Sequence, residues 1–201
     1  MIRIAVLLSG RGSNFTAIDD AIRRGALDAE IVCVISNRPE APGIETARDR
    51  QHHAHVVDHR TFSSRQAHEE EVLRILDTAR PDFIVLAGYM RLLSPSFVAR
   101  YPHRILNIHP SLLPSFPGVD AQAQAVAHGV KVSGCTVHFV DEHLDAGPII
   151  AQRPVEVRDD DTAETLAARI LVEEHAAYVH ALGLLARSPF RVVGRRVVFG
   201  E

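Results

Sequence analysis

Asn107 and His109 are the two residues of this sequence best suited to carbonyl chemistry. They stand two positions apart at the end of a strand-like run that Pro110 stops. Because side chains alternate along a strand, both are expected on one face. A carboxamide N–H can stabilise a developing oxyanion while an imidazole transfers protons. The pair therefore predicts attack on a carbonyl, although both side chains in such a pair can also simply bond neighbouring loops.

The segment Leu144-Asp145-Ala146-Gly147-Pro148 offers a carboxylate for this imidazole. Its glycine and proline favour a fixed turn, which would hold Asp145 in one direction. A carboxylate close to an imidazole stabilises the charged ring and sets its tautomer. The sequence alone does not bring Asp145 to His109, so their pairing is a hypothesis.

The loop Ser9 to Asn14 is a candidate phosphate site. Its small residues let backbone N–H groups approach an anion, and the following helix N-terminus adds its dipole. It is not a dinucleotide fingerprint, because Phe15 stands where the third glycine is needed, and no lysine follows Gly12 as in a nucleotide phosphate loop. A plain tight turn is the alternative.

Strand-like and helix-like segments alternate through the first 110 residues and determine where these candidates lie. Continuous apolar strands separated by helices are typical of a mostly parallel sheet with helices on both faces. Ligands bind beyond the carboxyl ends of such strands, so the loops 9–14, 88–93 and 109–118 are expected around one crevice. The predicted strands are 2–8, 30–35, 55–57, 82–87 and 104–109. The predicted helices are one that follows the loop 9–14 and runs to about Arg24, then 42–50, 63–79 and a short one with Ser94 as its cap and Pro95 in its first turn.

After residue 110 the pattern changes. Strands 130–140 and 148–157 read as an antiparallel pair, followed by a long helix capped by Asp161 that runs to about Ala186, and a final hairpin over 192–199. The prediction is a Rossmann-like α/β fold in a single domain, 1–201. It consists of a nucleotide-fold half, 1–110, and a closely packed C-terminal half, 111–201.

Composition restricts the class of protein further. With 46% hydrophobic and 23% charged residues the chain has ordinary globular usage. A net charge of -3 disfavours a nucleic-acid surface. The apolar runs are strand-sized, which argues against a membrane span, and residues 1–8 lack the features of a secretion signal. Cys33 and Cys135 lie in apolar runs and are expected to be buried, reduced thiols, which favours the cytoplasm.

Four stretches together resemble the phosphoribosylglycinamide formyltransferases, or glycinamide ribonucleotide transformylases, of the folate-dependent formyltransferase family. The asparagine–histidine strand with its Leu-Leu-Pro loop and the later Leu-Asp-x-Gly-Pro are specific for folate-dependent formyl transfer, and the loop at 9–14 narrows the resemblance to the glycinamide enzymes. The matching residues are 9–14 (Ser-Gly-Arg-Gly-Ser-Asn), 86–95 (Leu-Ala-Gly-Tyr-Met-Arg-Leu-Leu-Ser-Pro), 106–114 (Leu-Asn-Ile-His-Pro-Ser-Leu-Leu-Pro) and 144–148 (Leu-Asp-Ala-Gly-Pro).

The resemblance implies a reaction and three catalytic residues, Asn107, His109 and Asp145. The amine of N1-(5-phospho-ribosyl)glycinamide would attack the formyl carbon of 10-formyltetrahydrofolate directly. The products would be formylglycinamide ribonucleotide and tetrahydrofolate, in de novo purine (IMP) biosynthesis. Asn107 would stabilise the oxyanion, and His109, kept protonated in part by Asp145, would help move the proton to the departing nitrogen. The family needs neither a metal nor a covalent enzyme intermediate.

The same resemblance implies the binding residues. Gly12, Ser13 and Asn14 would hold the nucleotide phosphate, which makes 1–110 the phosphate-binding half and 111–201 the folate and catalytic half. The folate would contact Arg65, Met90, Arg91, Leu92 and Leu93, together with Asn107. A solvated surface arginine is the alternative for Arg65. The partners implied are small molecules only, with no nucleic acid and no membrane, acting on a monomer or homodimer.

Glu174 stands out by pattern. It belongs to a series of residues spaced four apart on the last helix, whose other members are apolar or aromatic: Leu166, Ile170, Tyr178 and Leu182. A carboxylate in such an apolar stripe needs a partner. The family supplies the ribose hydroxyls of the nucleotide, and an ion pair with an arginine is the alternative. His138 shares a strand face with Thr136 and is a candidate for a supporting role.

Three features leave questions open. His52, His53 and His55 form a cluster that lacks the cysteine or carboxylate spacing of a metal site, so a solvated loop and edge strand is favoured. Ser115 replaces a residue that is often lysine in relatives, and residues 119–124 lack a basic residue that relatives often carry, which predicts a weaker nucleotide affinity or a substitute donor.

Formyltetrahydrofolate hydrolase, which usually carries an extra N-terminal regulatory domain, and a non-catalytic sugar-phosphate sensor remain as rival interpretations. A transfer-RNA formyltransferase would be longer and would carry a basic C-terminal domain.

Overall fold

A computed structural model describes residues 1–200, and its internal contacts define two compact units, Met1–Leu106 and a second unit that begins at Asn107. The boundary falls inside one strand, so the same strand contributes its first residues to one unit and its last residues to the other.

The first unit is an alternation of strands and helices. Its strand order is β3-β2-β1-β4 followed by β5, and β1 pairs in parallel with both β2 and β4, as β2 does with β3. The elements are β1 (Ile2–Leu8), α1 (Ser13–Arg23), β2 (Ala29–Ser36), α2 (Pro42–Asp49), β3 (Ala54–Val56), a 3-10 helix (His59–Thr61), α3 (Arg65–Ala79), β4 (Phe83–Leu86), α4 (Pro95–Arg100) and β5 (Ile105–His109).

Local chemistry accounts for the helix starts in this unit. The Ser64 hydroxyl accepts a hydrogen bond from Ala67 N at 3.1 Å and caps α3. Ser94 caps α4 in the same way, through Phe97 N at 3.2 Å, with Pro95 in the first turn. Strand β1 is apolar on both faces, and residues 4–8 are completely buried. The predicted order of elements is confirmed here.

The second unit is built around antiparallel strands and a long helix. It begins with the end of β5 and continues with α5 (Ala121–Ala127), β6 (Val132–Phe139), β7 (Ile149–Glu156), α6 (Ala163–Arg187), β8 (Phe190–Val193) and β9 (Arg196–Phe199). Strands β6 and β7 are antiparallel, as are β8 and β9, while β9 meets β7 in parallel at one residue pair. Helix α6 packs on β6 and β7. The predicted α/β class with a terminal antiparallel pair, hairpin and long helix is confirmed.

Two predictions for this unit need correction. Asp161 does not cap α6: Thr162 does, in a reciprocal pair of hydrogen bonds with Thr165. The Asp161 carboxylate is occupied by Arg169, which holds its pKa far below the usual range. Helix α5 was not predicted, although its run of alanine and glutamine has high helix propensity.

Two further sequence predictions concern the cysteines and a possible membrane span. Both cysteines are free and buried, as predicted, and burial raises the pKa of each thiol to about 12, which keeps them unreactive. Of the helices within residues 1–200, none combines the length and the apolar character needed to cross a bilayer.

Candidate active site

The end of β5 presents Asn107 half-buried and His109 almost completely buried, at 4% exposure. The carboxylate of Asp145 lies beside this imidazole, with Oδ2 3.4 Å from His109 Nδ1. The carboxylate next to His109 therefore comes from a turn 36 positions later in the chain, and the hypothesis that Asp145 pairs with His109 agrees with this distance.

The second nitrogen of His109 is also engaged. Nε2 lies 2.8 Å from the Phe116 carbonyl oxygen, so it carries a proton and donates it. The Asp145 Oδ2 in turn accepts from Gly118 N at 2.9 Å. One nitrogen therefore faces a backbone carbonyl and the other a carboxylate, which fixes the orientation of the imidazole ring.

His138 completes a cluster of four polar side chains. Its Nε2 lies 3.4 Å from Asn107 Nδ2 and 3.9 Å from Asp145 Oδ1, and Nδ1 donates to the Phe139 carbonyl at 2.9 Å. Burial lowers the pKa of His138, against the opposing effects of that backbone bond and of Asp145. A neutral ring leaves Nε2 as an acceptor for one of the two amide N–H groups of Asn107, which fixes the orientation of the carboxamide.

Close backbone packing holds the turn that carries Asp145. A Cβ on Gly147 would lie 1.8 Å from the Phe139 carbonyl oxygen, so any larger residue here would force the backbone to shift. Asp145 itself has a positive φ of 50°, a conformation that aspartate tolerates better than most residues. The carboxylate is therefore aimed by the backbone as well as by its hydrogen bonds.

The loop after β5 is fastened to β6 by a single hydroxyl. Thr136 Oγ1 donates to Ser111 O at 2.7 Å and accepts from Leu113 N and from Gln152 Nε2, both at 3.0 Å. Ser111 Oγ then donates to Ser115 O at 2.5 Å. The segment that covers His109 is thus anchored at both of its halves, and Ser115 takes part through its backbone.

In the first unit, the loop before α1 has the form of an anion site. Gly12 has a φ of 71° and directly precedes Ser13, the first residue of the helix, and Asn14 is buried. Gly43, at the start of α2, was missed by the sequence analysis. Its N donates to Gly10 O at 3.0 Å, and an added Cβ would lie 2.9 Å from the same oxygen. The Pro42-Gly43 pair in a helix's first turn was the available signal.

Two predicted loops of the first unit meet. Ser9 N donates to Gly88 O at 3.0 Å, and Met90 N donates to Ser9 Oγ at 2.8 Å. The hydroxyl of Ser9 in turn donates to Asn37 Oδ1 at 2.5 Å. The loop 9–14 and the segment that begins at Gly88 are therefore neighbours, as the crevice hypothesis required.

The residues expected to contact the folate lie in and beside this segment. Met90 and Leu92 expose 71% and 68% of their surface, which is unusual for large apolar side chains, whereas Arg91 and Leu93 are half-buried. Arg65 begins α3 and is 43% exposed at its side chain. Its Nε donates to Glu69 Oε1 at 3.1 Å, so the side chain is held and not merely solvated.

Glu174 and the histidine cluster have different outcomes. Glu174 is half-buried on α6, close enough to raise the pKa of Tyr178 and of Cys135, although burial is the main cause in both. His52 does not join a metal cluster but bonds Asp19 Oδ1 at 2.9 Å. Among residues 1–200 no group of three or more possible metal ligands occurs.

Comparison with known proteins determines the family. The sequence profile of the family described as formyl transferase matches residues 2–182. The chain belongs to the formyl transferase family. The chain is 43% identical over 177 residues to the phosphoribosylglycinamide formyltransferase of Escherichia coli (strain K12), covering 88% of the chain and 84% of that protein.

Longer relatives and solved structures are similar as well. The chain is 49% identical over 193 residues to the trifunctional purine biosynthetic protein adenosine-3 of Drosophila pseudoobscura pseudoobscura; this covers 95% of the chain but only 14% of that protein. A crystal structure of glycinamide ribonucleotide transformylase 1 from Symbiobacterium toebii superimposes with a TM-score of 0.96 at 47% identity, covering 100% of this chain and 95% of that chain.

Proposed function

We propose that this formyl transferase moves the formyl group of 10-formyltetrahydrofolate to the amine of glycinamide ribonucleotide. The observation that carries the proposal is the cluster of Asn107, His109, His138 and Asp145, in which an amide donor and an imidazole–carboxylate pair converge. The similarity to phosphoribosylglycinamide formyltransferases supports the identity of both substrates.

The chemistry assigned to these residues follows from their contacts. As the substrate amine bonds to the formyl carbon, the carbonyl oxygen becomes an oxyanion, and the second amide N–H of Asn107 is the donor proposed to stabilise it. His109 would stabilise the same charge as an imidazolium, and Asp145 would keep the ring charged and oriented. The bond from carbon to the folate nitrogen then breaks as that nitrogen takes a proton from the His109 imidazolium, and the proton lost by the amine restores the charge of the ring.

Binding of the nucleotide is assigned to the loop before α1. Gly12, Ser13 and Asn14 stand at a helix N-terminus, where backbone N–H groups and the helix dipole favour a phosphate. Glu174 is proposed to accept hydrogen bonds from the ribose hydroxyls. The folate is assigned to Arg65 and to the segment Met90 to Leu93, whose exposed apolar side chains suit a flat aromatic ring.

An absorbance assay of a 10-formylfolate substrate tests the proposal directly. Turnover that requires glycinamide ribonucleotide is the expected result. Equal turnover without the nucleotide would identify a hydrolase that transfers the formyl group to water, and no turnover under either condition would favour a sugar-phosphate sensor. Mass spectrometry of the nucleotide product should show the added formyl group.

A further inference from the structure

Glu69 is a buried carboxylate with several hydrogen-bond donors. It is 7% exposed and lies on α3, one turn after Arg65. Its Oε1 accepts from Arg65 Nε at 3.1 Å and from Ser94 N at 2.9 Å, and its Oε2 accepts from the Ser94 hydroxyl. A carboxylate with this many donors is fixed in direction and compensated for its burial.

Ser94 connects this carboxylate to the segment Met90 to Leu93, which it directly follows. The same serine hydroxyl caps α4 through Phe97 N. The charge of Glu69 also acts on Tyr89, which precedes the segment: burial raises the pKa of Tyr89 to about 12, Arg91 opposes this effect and Glu69 adds to it. Through Arg65 and Ser94, Glu69 therefore joins the start of α3 to the C-terminal end of the proposed folate segment.

Arg65 receives its orientation from this arrangement. An ordinary exposed pair four residues apart on a helix restrains its arginine weakly, because both side chains move. Here Ser94 immobilises the Glu69 carboxylate, so this carboxylate holds the Arg65 guanidinium in place through its Nε. Among the described residues no hydrogen bond uses the two Nη groups, which leaves the outer edge of the fork for a carboxylate ligand.

We infer that Glu69 is a positioning residue that directs Arg65 at the carboxylates of the glutamate tail of the folate. This inference rests on the proposed function, which supplies the folate. The inference adds the residue that holds a flexible surface arginine as an oriented, bidentate donor. The affinity gained in this way concerns the glutamate tail and not the pteridine ring.

Equilibrium binding to the intact chain tests the inference without catalysis. Isothermal titration with 10-formylfolate, which carries the tail, is compared with 10-formylpteroate, which lacks it. Glu69→Gln should raise the Kd for 10-formylfolate about tenfold and leave the Kd for 10-formylpteroate within about twofold. The matched control is Glu70→Gln, which removes the charge of an exposed carboxylate that accepts from Gln66 at the same spacing on the same helix, and it should change neither Kd.

A double-mutant cycle separates positioning from general loop damage. In an Arg65→Ala background, Glu69→Gln should have no further effect on the Kd for 10-formylfolate, because the residue through which it acts is gone. Glu69→Asp retains the buried carboxylate, so this variant replaces Glu69→Gln in the binding experiment if Glu69→Gln does not fold. Its shorter side chain should produce the same selective loss of tail affinity.

Each other result counts against the inference. Equal weakening of both ligands would mean that Glu69 supports the pteridine segment, and unchanged affinity in both Glu69 variants would remove its role altogether. An undiminished effect in the Arg65→Ala background would show that it does not act through Arg65. A wild-type chain that binds neither ligand would overturn the proposed function and this inference with it, whereas wild-type binding of both ligands confines any failure to Glu69.

Discussion

His109 has both ring nitrogens engaged, one by a carbonyl and one by a carboxylate, in a nearly closed environment. Substitution of His109 would therefore remove both of these contacts. If it acts in formyl transfer as proposed, its contribution lies in the chemical step and not in holding either substrate.

We therefore expect His109→Ala to lower kcat by about 10² to 10⁴-fold while the Kd for glycinamide ribonucleotide changes little. The rate at which the formylated nucleotide forms gives kcat, and titration with glycinamide ribonucleotide gives the Kd. The control is His143→Ala, at an exposed histidine of the loop before Asp145, which should retain full activity. A His109→Ala enzyme with most of its rate would remove this residue from the mechanism.

Sequence reasoning was most successful at residues whose partners are close in the chain. Alternation along a strand was sufficient to put Asn107 and His109 forward together. The approach of Asp145 to His109 depends on how β6 and β7 pair, and no local pattern encodes it. Gly43 escaped notice because its reason for being glycine is the carbonyl of Gly10, 33 positions earlier.

At the scale of elements, the turn between β6 and β7 is rigid because Gly147 lies directly against the backbone of Phe139. We expect Gly147→Ala to force the turn outward, lowering the free energy of unfolding by about 1–3 kcal/mol and displacing Asp145, with a loss of kcat. Urea unfolding and the transfer assay measure the two effects.

The comparison for Gly147 is Gly183→Ala in α6, where the new methyl group would meet only the flexible end of Arg187. That variant should be neutral or more stable, since alanine is the better helix former. A Gly147→Ala protein with normal stability and normal kcat would show that the turn yields without moving the carboxylate.

Helix α2 supports the loop before α1 through the same kind of contact. We expect Gly43→Ala to displace Gly10 to Gly12 and to raise KM for the ribonucleotide roughly tenfold, with a smaller change in KM for the folate. Initial-rate kinetics with each substrate varied in turn provides the measurement. Glu45→Ala, on the exposed face of the same helix, is the control, and a selective rise in the folate KM would contradict the assigned role of the loop.

Elements were predictable where apolar periodicity and caps agree, as in β1, α3 and α4. The start of α6 was misassigned because Asp161, Thr162 and Thr165 all have capping side chains, and only the structure shows that Arg169 occupies the aspartate. Helix α5 was missed because its short, alanine-rich sequence carries no strong apolar stripe and no side-chain cap.

Two buried histidines contribute to the pH dependence of the stability of the whole molecule. Burial lowers the pKa of His68 and of His138 below the ordinary 6.5, so both are neutral in the folded protein at neutral pH. In the unfolded chain they titrate near 6.5. Between the folded and unfolded pKa values the unfolded state therefore binds more protons.

Stability should accordingly be complete above pH 6.5 and decline as the pH falls below it, by on the order of 1–2 kcal/mol at pH 5.5. Urea unfolding at pH 7.5, 6.5 and 5.5, at constant ionic strength, measures the change. A free energy of unfolding that stays level or increases towards pH 5.5 would mean that other groups outweigh these two histidines.

The contacts of Phe116 and Gly118 with the His109–Asp145 pair bear on the energetics of binding. Two peptide groups engage the pair, since the Phe116 carbonyl accepts from the imidazole and the Gly118 amide donates to the carboxylate. A substrate that displaces either one exchanges an existing hydrogen bond for a similar one, with little net gain. If the pair acts as proposed, discrimination in favour of the tetrahedral species would come from its full negative charge, which a neutral peptide oxygen cannot match.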